Sequence, residues 1–192
     1  IRMMREYVAL LRECFSGDSV SFEGDYFSTK RFRLGLRLEG KKPKIIMAAL
    51  NPQMLKLGGE IADGVLLNYL PASHVKYSVN KVREGGNAKI FAYVHASVSE
   101  FEKAQTSARK DLFNYAMADG YAKMFKEAGF EDEITELREK QKNKDREGAL
   151  SAISDKMIQA IDFIGTTAEV KDFVDSYAEA GVELPILMPM PW

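Results

Sequence analysis

Near the start of the chain, Met3, Met4, Tyr7, Val8, Leu11, Cys14 and Phe15 recur at the three-and-four spacing of one helix face, while Arg2, Arg5, Glu6, Arg12 and Glu13 fill the other. The pattern predicts an amphipathic helix already under way at Ile1, which Gly17 and Asp18 end. Apolar residues at 20–22 and 26–27 then flank Glu23-Gly24-Asp25, as in a small hairpin. Phe32, Leu34, Leu36 and Leu38 alternate with Arg31, Arg33, Gly35 and Arg37 at the period of a strand whose polar face meets solvent.

From residue 44 the pattern changes. KIIMAAL, residues 44–50, is apolar throughout, as expected of a parallel strand covered on both faces. Asn51-Pro52 then opens a helix carrying Met54, Leu55, Leu57 and Ile61, with asparagine in the capping position and proline in the first turn. Asp63-Gly64 turns into a second strand at 65–68, Pro71 opens a helix with Val75, Val79 and Val82, and residues 89–98 form a third strand. This βαβαβ order predicts parallel strands joined by right-handed crossovers. Ser99 with Glu102 reads as a capping box that starts a long helical stretch to about Phe163, free of core strands. Within it, residues 131–147 mix both signs of charge densely enough to predict a solvated face. Thr166 with Glu169 is a second capping box, and residues 184–188 form a fourth strand.

Alternating strands and helices mean an α/β fold. Four core strands fall short of a closed barrel, which takes eight strands and about 250 residues. Either a small open sheet or the C-terminal half of a barrel fits the count. The 192 residues carry 27 Lys plus Arg against 28 Asp plus Glu, a net charge of −1 without a basic block, which argues against a nucleic-acid partner. The longest apolar run is far below the roughly 20 residues that span a bilayer, so no membrane partner is expected. One cysteine and two histidines, His74 and His95, leave no internal disulfide and no zinc ligand set, and a cytoplasmic protein is the default. Cys14 falls on the apolar stripe and reads as core, His95 as a core histidine within its strand, His74 as a surface residue, and Arg31, Arg33 and Arg37 as a solvated face.

The segment PKIIMAALNPQMLKLGGEIADGVLLNYLPASHV, residues 43–75, resembles the luciferase-like monooxygenase superfamily, in particular its deazaflavin-dependent branch of methylenetetrahydromethanopterin reductase-like proteins. MREYVALLRECFSGDSVSFEGDYF at 4–27 and FIGTTAEVKDFVDSYAEAGVELPILMP at 163–189 resemble its helix with Gly turn and its closing helix and last strand. The resemblance implies that residues 1–192 are one partial domain, the C-terminal half of a (β/α)8 TIM-type barrel, with about four parallel strands and a long helical insertion. It also implies that the catalytic side chains lie upstream of Ile1, that the isolated fragment is inactive, and that exposed strand edges favour association between copies.

On such a barrel the strand C-termini form the active face. The resemblance places cofactor contacts at the turn after KIIMAAL, on Ala49, Leu50 and Asn51 with Met54 beside them, and implies a deazaflavin in preference to FMN. Asn51 stands where the family commonly has glycine. Small side chains at 48 and 49 let a flat ring or a phosphate approach the backbone, and with Asn51 capping its helix the N–H groups of Gln53 and Met54 are expected to face the cleft. Asn68 and Tyr69 follow the second strand and read first as plain loop residues, with a place at the same mouth as the alternative. The expected activity is hydride transfer between the cofactor and a small organic substrate; the alternative is a non-catalytic α/β module that binds an anion or a partner through the same turn.

Overall fold

The computed structural model describes residues 1–36 and 38–192, so the reading of Arg37 falls outside the described residues. The elements are α1 (Arg2–Cys14), β1 (Val20–Glu23), β2 (Ser28–Phe32), β3 (Ile46–Ala48), α2 (Pro52–Ile61), β4 (Gly64–Leu67), α3 (Ala72–Arg83) and β5 (Lys89–Val98). After these come α4 (Phe101–Ala116), α5 (Asp119–Phe125), a π-helical turn (Lys126–Phe130), α6 (Glu131–Lys142), α7 (Arg146–Ser151), α8 (Asp155–Ile161), β6 (Asp162–Gly165), α9 (Thr167–Glu179) and β7 (Leu184–Pro189).

The core sheet is five-stranded and every pairing in it is parallel. Strand β5 is its centre. Phe91 and Ala92 pair with Leu66 and Leu67 of β4 and also with Leu184 and Pro185 of β7, so those two strands flank β5 on opposite sides. Further along, His95 and Ala96 pair with Asp162 and Phe163 of β6 while still pairing with β7, so β6 continues the β4 side beyond the end of β4. Strands β3, β4, β5 and β7 therefore stand side by side in chain order, as expected.

Strand β6 is the unexpected one. The helical stretch stops at Ile161, before the expected Phe163, and a strand begins inside its predicted range. Gln159 helps to set this strand, its side chain accepting from Ile164 N at 3.0 Å and donating to Ile164 O at 3.1 Å in the manner of a neighbouring strand. No glycine or proline separates it from α8, which ends one residue earlier, and that is why the pattern hid it.

Other expectations need correction. KIIMAAL is not covered on both faces: only Ile46–Ala48 is strand, Met47 is buried, and Ile46 is 44% exposed, because β3 is an edge strand with α2 on one face. Residues 33–36 form no strand, and Arg31 and Arg33 are exposed. The hairpin's second strand starts at Ser28, since Glu6 takes the backbone N–H groups of Asp25, Tyr26 and Phe27 at 3.0, 2.9 and 2.6 Å. Ser99 caps nothing, as the helix starts one residue later on Glu100 without a side-chain cap, whereas Thr166 and Glu169 form the full box. Cys14 is half-buried, and Val8 alone of α1 is buried.

Helices α2 and α3 cross where Gly59 and Gly85 stand. A Cβ on Gly59 would meet the Val82 carbonyl, and one on Gly85 the Lys56 carbonyl, so these glycines are what let the two backbones touch. The α4–α8 excursion adds Leu112, Phe125, Ile134, Leu137, Ile153 and Met157 to the one apolar core that the sheet shares. Within 131–147 only Ile134 and Leu137 are buried, and the charged face is solvated as expected. Among the described residues no helix is long and apolar enough to cross a membrane.

Candidate functional site

Ala49, Leu50 and Asn51 follow β3 directly, and Met54 lies in the first turn of α2. Ala49 is buried and donates to Leu66 O at 3.2 Å, which carries the β3–β4 pairing into the turn. Asn51 occupies the position before Pro52, with φ −105° and ψ 155°, yet its side chain makes no cap. Its Nδ2 donates instead to Gly120 O of α5 at 3.3 Å. The Asn51 carbonyl accepts both Met54 N and Leu55 N, at 3.0 and 2.9 Å, so the expected Met54 donor is already used. Proline has no N–H, which leaves Gln53 as the free amide of this turn. The helix start thus offers one amide where the sequence suggested two.

The polar groups gather one strand further in. Asn68, after β4, donates from Nδ2 to Tyr121 Oη of α5 at 3.1 Å. Two neighbouring strand ends thus reach consecutive residues of the same helix, and α5 lies over the mouth. Tyr69, the next residue, has φ +49°, a left-handed backbone that a bulky residue adopts only when its surroundings impose it. Its ring lies 3.8 Å from His95 and 3.7 Å from Tyr115, centroid to centroid, and its Oη donates to Asp111 Oδ2 at 2.6 Å. Burial and the Asp111 carboxylate hold the Tyr69 hydroxyl far above the ordinary tyrosine value, so it stays protonated and a donor.

Beneath this lies a buried ionisable pair. His95 Nδ1 is 3.5 Å from Asp162 Oδ1, and both side chains are almost fully enclosed. Burial pushes the Asp162 carboxyl up to about 6, with His95 opposing the rise and Asp111 adding to it. His95 is buried as expected, but beside a carboxylate that sequence reasoning did not identify. The signal was there: Asp162 is the one charge in residues 157–164, which are apolar apart from it and Gln159, and a charge is retained in such surroundings only with partners. Asp111, Tyr115 and Tyr121 had no such signal, as they sit on α4 and α5 far from the strand ends in sequence. His74 is buried rather than on the surface, packed on Tyr77, and burial lowers its pKa.

A parallel α/β sheet with its polar groups gathered at strand C-termini is the layout of enzymes that bind ligands along that edge. Residues 1–184 match the family model described as luciferase-like monooxygenase, and the chain belongs to that family. It is 29% identical over 95% of its length to 5,10-methylenetetrahydromethanopterin reductase of Archaeoglobus fulgidus, covering 58% of that protein. Against the reductase of the same name from Methanopyrus kandleri it is 26% identical over 93% of its length, covering 54%. The chain thus spans little more than half of these relatives. The structure of the coenzyme F420 dependent tetrahydromethanopterin reductase from Methanopyrus kandleri superposes with a TM-score of 0.71 at 23% identity, over 99% of this chain and 56% of that one. An F420-dependent secondary alcohol dehydrogenase, solved with an F420-acetone adduct, superposes with a TM-score of 0.70 at 20% identity, over 98% and 56%. The fold is therefore similar to that of F420-dependent reductases.

Proposed function

We propose that this chain is the C-terminal half-barrel of a coenzyme F420-dependent oxidoreductase, with the β3–α2 turn and the end of β4 forming part of its cofactor mouth. The observation that carries this reading is the pair Asn51 and Asn68, on adjacent strand ends, each tied by its amide nitrogen to α5. Each leaves its Oδ1 without a partner among the described residues, an arrangement whose cost a purely structural turn would avoid. The group fits the residues present. Ala48 and Ala49, small and followed by Leu50, would let a flat ring lie near the backbone, the Gln53 N–H with the helix dipole would meet a phosphate, and Met54 would supply an apolar edge.

A bound deazaflavin supplies two-electron hydride chemistry to a small organic substrate. The chain's own part is to bind and orient. The Asn51–Gly120 and Asn68–Tyr121 contacts bring α5 over the strand ends and exclude water, and the protonated Tyr69 hydroxyl holds the turn between them. The reading is tested on the full-length protein by titrating F420 and FMN and following fluorescence. F420 is expected to bind and FMN to bind at least ten-fold more weakly. Asn51→Asp places a carboxylate where the phosphate approaches and opposes it to the Gly120 carbonyl, so F420 affinity should fall by roughly 10- to 100-fold, the worth of one charge-assisted bond of about 1.5 to 3 kcal/mol. Equal binding of F420 by wild type and Asn51→Asp would remove the cofactor reading of this turn.

A further inference from the structure

We propose that Asp111 is a positioning residue for the strand-end cleft: by accepting the Tyr69 hydroxyl it holds the left-handed turn after β4, and through that turn it fixes Asn68 against Tyr121 at the mouth. The inference deepens the cofactor-mouth reading above and rests on it for its functional consequence.

Tyr69 is the hinge. Its backbone is left-handed at φ +49°, and a tyrosine gains nothing intrinsic from that conformation. Four contacts from three elements hold it and the residue after it. His95 of β5 and Tyr115 of α4 clasp the ring, Asp111 of α4 takes the hydroxyl, and Tyr177 Oη of α9 donates to the adjoining Leu70 carbonyl at 2.6 Å. Ring-on-ring packing fixes the plane of the Tyr69 ring but not the rotation of the turn beneath it. The 2.6 Å hydrogen bond is the directional contact and sets that rotation.

Asn68 lies between the paired end of β4 and the hinge, and the two residues share one peptide unit, so a change in the Tyr69 φ turns that unit and with it the ψ of Asn68. In the observed rotation it meets Tyr121 Oη at 3.1 Å. Asp111 is a costly choice for a merely structural acceptor. It stands near Asp162, whose two carboxylate oxygens are buried without a hydrogen-bond partner among the described residues. Asp111 is itself only part-buried, and it adds to the rise of the Asp162 carboxyl.

The test uses the full-length protein. Asp111→Leu removes the acceptor, Tyr69→Phe removes only the donor, and Asp111→Asn keeps an acceptor oxygen for the hydroxyl. Crystal structures of Asp111→Leu and Tyr69→Phe are expected to show residue 69 out of the left-handed region and Asn68 off Tyr121; an unchanged turn in both overturns the proposal. In function, each of these two variants should weaken F420 binding about ten-fold. The double variant should be no weaker than either single one, and Asp111→Asn should restore binding to within about two-fold. Lower melting temperatures with unchanged F420 affinity would mean a structural bond only, and would overturn it. If Asp111→Leu does not fold, Tyr69→Phe carries the same arms. If wild type binds no F420, the cofactor reading fails by itself, and the two crystal structures still decide the positioning claim.

Discussion

His95 and Asp162 face each other across neighbouring strands, Nδ1 to Oδ1 at 3.5 Å, in an interior where Asp162 is only 1% exposed. The pair ties β5 to β6 at the level where Tyr69 covers His95, so the strand-end turn rests on an ionisable group.

The raised Asp162 pKa makes stability depend on pH. Its ordinary value is 3.8 and its folded value about 6, so between these the folded protein holds a proton that the unfolded chain has released. Stability from this group is fully present in acid below 3.8 and is lost as pH rises through about 6. A shift of roughly two units corresponds to about 3 kcal/mol. Urea unfolding of wild type should show that decline, and Asp162→Asn should remove most of it. Parallel pH profiles for the two proteins would contradict the assignment.

Gly59→Ala should be destabilising although alanine favours helix, because its Cβ would meet the Val82 backbone, which has no rotamer to yield. Overpacking of this kind costs about 1–3 kcal/mol. At this chain length that lowers the melting temperature by about 2–4 °C per kcal/mol in a thermal scan.

Thr166→Ala and Ser99→Ala should differ although both residues begin the same four-residue motif. Thr166 forms a full capping box with Glu169, so its loss should cost about 1 kcal/mol. The Ser99 hydroxyl reaches only its neighbour's carbonyl, and its loss should stay within about 0.5 kcal/mol. Chemical denaturation of the two variants side by side reads the contrast.

Tyr177→Phe should cost about 1–3 kcal/mol in the same measurement, since it leaves the Leu70 carbonyl without its buried donor. A larger loss of amide protection around residues 68–71 than elsewhere would place the effect at the turn.

The sequence by itself determined the elements whose signal is local. The order of β3, β4, β5 and β7, their parallel sense and the helices between them follow from apolar runs separated by Pro, Gly and capping residues, and the core sheet keeps that order. Thr166 capped as read because both partners of its box lie within one helical turn. The turn from Ala49 to Met54 was also placed correctly at a strand end. Tertiary structure decided everything that needed a partner distant in the chain. Asn51 had a local role on offer, capping its helix, and gave it up for Gly120, 69 residues away. Tyr69 and Asp111 are 42 residues apart and meet only because α4 folds back over the strand ends. His95 gained its carboxylate only when β6 paired with β5, and burial then moved the Asp162 pKa. A residue's type and spacing state which bonds it is able to make, but a side chain takes the bond that the packed interior leaves it, and that choice is made by the fold.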